Sequence, residues 1–303
     1  MAIKSIQVII NGATHTLDYN PDTGNYEKTI TAPQNSSYNA NGEHYFPIAL
    51  KAEDDAGNVT TVNDSDNTFG SKLKLRVRET VAPVITINSP TEGARTSNGT
   101  PRIEWSVTDN DSGVDPDSIG ITINSGGKIT SGITKTPIVD GYSCYYDIPD
   151  SLNDGNNTIS IDAADYDGND AVQRTVNFVV DTVPPELSVT SPVNDLITKD
   201  RTVTLMGTSS DTTSAPVRVT VKVNEELEQE VAISDVGDFT KELALNEGVN
   251  TIVVTATDGA GKSASVTRTV VVDSGAPEIT SIAITPNPVE TGRAITIVVT
   301  ATD

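Results

Sequence analysis

The densest run of oxygen donors in the chain is DNDSGVDPD. It places Asp109, Asp111, Asp115 and Asp117 at alternate positions, with Gly113 between them. Calcium takes about six to eight hard oxygen ligands, so a run of this kind suits that ion. It is not an EF-hand loop, because its glycine is fifth and no glutamate stands at the twelfth position. A second set of candidate calcium ligands is Glu79, Asp181 and Asp273, each four positions ahead of a proline (Pro83, Pro185, Pro277). Acids at such junctions could bridge neighbouring domains through an ion. The competing reading of both sets is Asx-turns and solvated charge; Asp165 and Asp167 are a weaker pair of the same kind.

Two other chemistries are open to this composition. In GYSCYYD, strand alternation sends Tyr142 and Cys144 to one face and Ser143 and Tyr145 to the other. Tyr142 then belongs to the core, which leaves Tyr145 or Tyr146 as a platform for stacking on a glycan ring. General-base catalysis would need an imidazole, and only His15 and His44 supply one. Neither stands near a GxSxG, HExxH or CxxC pattern, so the expectation is a protein that is not an enzyme. With 42 acids against 20 bases, the net charge of −22 repels phosphate backbones, which argues against nucleic acid. No run approaches the roughly 20 apolar residues of a membrane helix, and Cys144 has no second cysteine to pair with.

The elements that must carry these residues are strands. Aromatics make up 4% of the 303 residues, and Thr, Val, Ile, Asn, Asp and Gly dominate, a bias toward strands and tight turns. The pattern A-x-D-x-x-G-(N/K) recurs at Ala52 to Asn58, Ala163 to Asn169 and Ala256 to Lys262, each time between two β-branched runs. It reads as a β-hairpin whose Asp caps the turn by accepting backbone N–H bonds and whose Gly takes a positive φ. GxNTI recurs at Gly155 to Ile159 and Gly248 to Ile252, and an aromatic after Gly opens a further strand at Tyr26, Tyr142 and Phe239.

The intervals Pro83 to Asp109, Pro185 to Asp211 and Pro277 to Asp303 each span 26 residues. This register predicts domains at 1–80, 81–182 and 183–274, and the first two strands of a fourth repeat at 275–303. About seven short strand candidates per unit suit an immunoglobulin-like β-sandwich. The expected fold class is therefore all-β, a tandem of such sandwiches joined by stiff junctions into a rod. Trp105 is expected in the core. The final two strands leave open ladder edges, so completion by further chain or by strand addition from another subunit is expected.

The stretches VVTATDGAGKSASVTRTVVVDSGAP and IDAADYDGNDAVQRTVNFVVDTVPP resemble the bacterial immunoglobulin-like (Big-type) repeats of surface adhesins and phage virion proteins. The resemblance covers residues 82–303 well and the first domain loosely. The opening MAIKSIQVIING and the closing ITSIAITPNPVETGRAITIVVTATD are similar to Ig-like proteins encoded among tail genes of phages and prophages of Gram-positive bacteria. That likeness implies a structural protein of a phage tail particle, made without a signal peptide, assembled into virions in the host cytoplasm and displaying modules that bind cell-wall glycan weakly. Its implied partners are other virion or tail proteins, or a second copy through residues 275–303. The alternative is a fragment of a cell-surface adhesin or calcium-stiffened stalk, with domain one the expected assembly anchor in the phage reading.

Overall fold

Alternating β-branched residues build about half of the chain into short, mostly antiparallel strands, with no α-helix among the described residues, as a computed structural model covering residues 2–303 describes. Its contacts divide into two compact units, one of residues 1–94 with 100–178 and one of residues 95–99 with 179–303.

In the first unit, domain one is a single sheet with the small hairpin Asp18–Asn20/Asn25–Glu27 beside it. The sheet has the order Ala13–Thr16, Ile3–Ile10, Phe46–Asp54, Val59–Val62, and Lys74–Leu75 adds to one end of Phe46–Asp54. Its core is thin: among the described residues, Val8, Tyr45, Phe46 and Leu73 are the buried hydrophobics before Ile85. This is the structural face of its divergence, since a sheet with so little opposite it buries little apolar area.

Domain two is a fuller sandwich. One sheet runs Thr134–Ile138, Gly141–Asp147, Arg102–Thr108, Val84–Ser89; the other runs Val114–Ile123, Gly155–Asp165, Arg174–Val180, and ends in a short parallel strand, Arg95–Thr96, on Val179 and Val180. The alternation in RIEWSVT works out in full. Ile103, Trp105 and Val107 are fully buried, while Arg102 and Glu104 face solvent. Trp105 registers against Cys144 on one side and Ile87 on the other.

Cys144 is buried, and desolvation pushes its thiol up to about 11. Because the thiolate is the nucleophile, a rise of that size suppresses its population at pH 8 by about a hundredfold. In the folded protein an aromatic disulfide reagent is therefore expected to label Cys144 at least about a hundredfold more slowly than in urea. Equal rates in the two conditions would show that this sheet opens far more readily than its packing implies.

In the second unit, domain three pairs a three-stranded sheet (Glu186–Ser191, Thr202–Ser210, Asp238–Ala244) with a five-stranded one. The latter has the order Leu196–Thr198, Ser263–Val272, Gly248–Thr257, Arg218–Val223, Gln229–Val231. Between them lies a core centred on Leu205, Val219, Phe239, Ile252, Val254 and Val270. After domain three comes the hairpin Glu278–Thr285/Thr296–Thr302, whose Ile279, Ile282, Ile284, Ile297, Val298 and Val299 are all exposed.

Candidate metal centre

Each A-x-D-x-x-G turn is closed by its aspartate. Asp54 Oδ1 accepts the N–H groups of Ala56 and Asn58, both at 2.9 Å. Asp165 Oδ1 accepts that of Asn169 at 2.8 Å, and Asp258 Oδ1 those of Ala260 and Lys262 at 2.8 and 2.9 Å. Gly57, Gly168 and Gly261 take φ of 85°, 91° and 91°, a region closed to most side chains. The hairpins thus form as the sequence predicts. In domains two and three the same aspartates have a second setting.

In the first unit, Glu79, Asp109 and Asp165 bring carboxylate oxygens within 4.8 Å of one another. Asp109 arrives at the end of strand Arg102–Thr108, where its Oδ1 accepts the N–H groups of Asp111 and Gly113. Glu79 comes from the segment leading out of domain one, and its Oε1 accepts the Ser112 N–H at 2.6 Å. Burial raises the Glu79 carboxyl above its ordinary value against the pull of the Ser112 hydrogen bond, and the nearby Asp109 and Asp111 add to the rise. Asp165 Oδ2 is occupied by the side-chain amide of Asn169 at 2.7 Å.

The second unit repeats the arrangement with Asp181, Asp211 and Asp258, again within 4.8 Å. Asp181 enters from the segment ahead of domain three, with its N–H donated to Thr96 O and its Oδ1 accepting from Val183. Asp211 Oδ1 accepts the N–H groups of Thr213 and Ser214 at 2.8 and 2.6 Å. Carboxylates gathered this closely repel unless a proton or a cation joins them. All-oxygen donors brought from separate loops form a set suited to a hard divalent ion.

The expected alternate-position calcium run is not assembled as such. Only Asp109 of its four members enters a cluster. Asp111 turns toward domain one within the same unit, where both its oxygens accept the Ser36 N–H at 2.9 and 3.0 Å. Asp115 caps a local turn by accepting the Asp117 N–H, and Asp117 is exposed. A strand begins at Val114, and this extension carries the second half of the run away from the first. Of the junction acids, Glu79 and Asp181 enter clusters. Asp273 is exposed, and its Oδ1 accepts the N–H of Gly275. Asp165, Asp211 and Asp258 complete the clusters. Their signal was present in the recurrent hairpin Asp and in the 26-residue interval from proline to aspartate.

Tyr145 and Tyr146 are both half-buried, and the Arg102 guanidinium lies 4.0 Å over the Tyr145 ring, on a side chain held by Asp147. A sugar stacking on that face of Tyr145 would have to displace the arginine. Tyr142 is half-buried rather than deep in the core. His15 lies on a strand, whereas His44 stacks on Tyr38 with ring centres 4.0 Å apart. Tyr38 in turn stacks on Tyr166 at 4.2 Å. This aromatic stack joins the 36–44 loop of domain one to the Asp165 hairpin of domain two.

A family model described as "Glucodextranase, domain B" matches residues 185–274. No curated protein matches the chain. Among solved structures, the fibronectin(III)-like modules of Clostridium thermocellum CbhA are 19% identical, with a TM-score of 0.40 over 63% of this chain and 94% of that one. Titin domains A168–A170 are 15% identical, with a TM-score of 0.46 over 88% and 86% of the two chains. The immunoglobulin domains 1–4 of Sidekick-1 are 11% identical, with a TM-score of 0.35 over 88% and 67%. By its own strands and sheets the chain is an all-β protein whose second and third domains are immunoglobulin-like sandwiches, preceded by the single-sheet domain one.

Proposed function

We propose that this chain is a non-enzymatic structural and interaction protein of a phage or phage-derived tail particle, displaying Ig-like modules from a multi-copy assembly. The observation that carries the structural role is the way domain one meets domain two inside the first unit. Ser36 donates to Asp111, Asn39 donates to the Asp111 carbonyl at 2.7 Å, and Tyr38 lies flat on Tyr166. A junction with directional hydrogen bonds and stacked rings holds two modules in one arrangement, as a spacer or display element requires. Weak contacts between each copy and host cell-wall glycan would add up through effective concentration. The sequence resemblance to tail-encoded Ig-like proteins supports the location, and domain one, with its thin core, is the assembly anchor.

The experiment is incorporation into particles. Deleting residues 1–80 is expected to remove the protein from purified particles, as read by mass spectrometry, while the remainder accumulates in the lysate. Unimpaired incorporation would exclude domain one as the anchor, and absence of the full-length chain from particles would sink the tail reading.

A further inference from the structure

We propose that Asp181, Asp211 and Asp258 bind a calcium ion that fastens the segment entering domain three onto that domain. Two observations beyond the gathering of acids carry this site. Asp181 and Asp258 are 1% and 7% exposed, and in each the Oδ2 atom is buried with no hydrogen-bond partner, while Oδ1 is committed to backbone N–H groups. Ser214, whose N–H reaches Asp211, is 0% exposed, and its hydroxyl also lacks a partner. Buried polar atoms in folded proteins are nearly always satisfied, so orphan oxygens on carboxylates gathered within 4.8 Å of one another mark a missing partner. None of the described ion pairs involves these three carboxylates, so no lysine or arginine fills that role.

Comparison along the chain strengthens the assignment. At the fourth position after the hairpin aspartate, Asn58 and Asn169 each donate a side-chain amide to the Oδ2 of Asp54 and Asp165. In domain three that position is Lys262, which gives Asp258 only its backbone N–H. The sequence has removed the neutral partner where the linker acid and Asp211 meet Asp258, and so has freed the oxygen. In the first unit the Ser112 hydroxyl is likewise buried without a partner, but Asp165 Oδ2 is taken by Asn169, Glu79 Oε1 by the Ser112 N–H, and none of the three carboxylates has a buried orphan oxygen, so the proposal is confined to the second. Oxygen-only donors from three separate segments favour calcium over zinc, which prefers nitrogen and sulfur, and over magnesium, which demands a tight octahedron.

The test uses the full chain stripped of divalent ions, titrated calorimetrically with calcium in the presence of millimolar magnesium and compared with Asp258→Asn. Asparagine keeps the Oδ1 acceptor for Ala260 and Lys262 but removes a charged ligand. Calcium is expected to bind the wild-type chain and to raise the melting temperature of domain three. In Asp258→Asn one equivalent should disappear, or weaken by about a hundredfold or more, and the calcium-dependent rise should vanish. In chelator the variant should melt no lower than wild type, because a repelling charge has gone. Should Asp258→Asn fail to fold, Asp181→Asn is read in the same way. No calcium binding by wild type, as a shared proton would give, or unchanged stoichiometry in the variants, overturns the site. So does a variant equally weakened with and without calcium. Each outcome is independent of whether the chain belongs to a tail particle.

Discussion

Replacing Trp105 with alanine is expected to lower the melting temperature of domain two by about 12 °C or more, from a loss of about 3–5 kcal/mol. The side chain is fully buried between Ile103 and Val107 on the inward face of its strand, in register with Cys144 and Ile87. Truncation leaves a cavity that the flanking strands, tied on both edges by ladder hydrogen bonds, can close only in part. A domain of this size has a total stability of roughly 5–15 kcal/mol, so the loss is a large share of it. Trp105→Phe separates volume from polarity. The indole Nε1 is buried with no acceptor, so phenylalanine discards an unsatisfied donor while keeping most of the ring. Its cost is expected to be at least about 2 kcal/mol smaller than that of alanine. Trp105 is the chain's one tryptophan, so calorimetry or far-ultraviolet dichroism is the readout. A shift of only a few degrees for Trp105→Ala would mean that this sandwich draws its stability from elsewhere.

Much of the fold was legible because it is written in local chemistry. Period-two alternation needs no tertiary information, as RIEWSVT demonstrates, and a Gly at fixed distance after an Asp names its turn. The clusters were legible only in halves. Asp258 reads from sequence as a turn cap, and its Oδ1 is one; the use of its Oδ2 depends on where a strand about 50 residues earlier deposits Asp211. Asp109, Asp111, Asp115 and Asp117 form a run in the text. The strand beginning at Val114 separates them, and three-dimensional proximity favours Glu79 and Asp165, each at least 30 residues from Asp109. Tyr145 reads as an exposed ring by alternation, but alternation says nothing of Arg102, which comes from the neighbouring strand to lie across it. The Tyr38–Tyr166 stack was not legible at all, because it joins a loop without periodicity to the second residue of a turn.

Asn250→Ala is expected to cost domain three about 2–4 kcal/mol, although it deletes only a small side chain. The asparagine of GxNTI is fully buried and makes four hydrogen bonds. Its Oδ1 accepts the Asn246 N–H at 2.9 Å and the Asn224 amide at 3.0 Å, and its Nδ2 donates to the carbonyls of Asn246 and Gly248 at 2.7 and 3.0 Å. Gly248, at φ 88°, makes the bend that brings those carbonyls around the amide. Asn224, at φ 51°, is held by accepting the Thr251 N–H and so ties the neighbouring strand's turn to the same hub. Domain two repeats the arrangement with Asn157, Asn124 and Thr158, which explains why the text recurs. Alanine removes four hydrogen bonds at once and empties the buried hub around position 250, and each polar group left unsatisfied there is more costly than the bond it lost. Asn250→Asp is the sharper variant. It keeps the acceptor but turns a carboxylate oxygen toward two carbonyls, so near neutral pH it should be less stable than Asn250→Ala. Burial and repulsion raise the folded-state pKa of the new acid above its unfolded value. Its penalty is therefore fully present above the folded pKa and shrinks as pH falls through it, because the protonated acid can donate one of the lost bonds. The stability difference between the two variants, followed by urea titration from neutral to acid pH, should close or change sign. A difference that stays constant with pH, or an alanine variant costing under about 1 kcal/mol, would show that the strand ladder rather than the asparagine hub holds this loop.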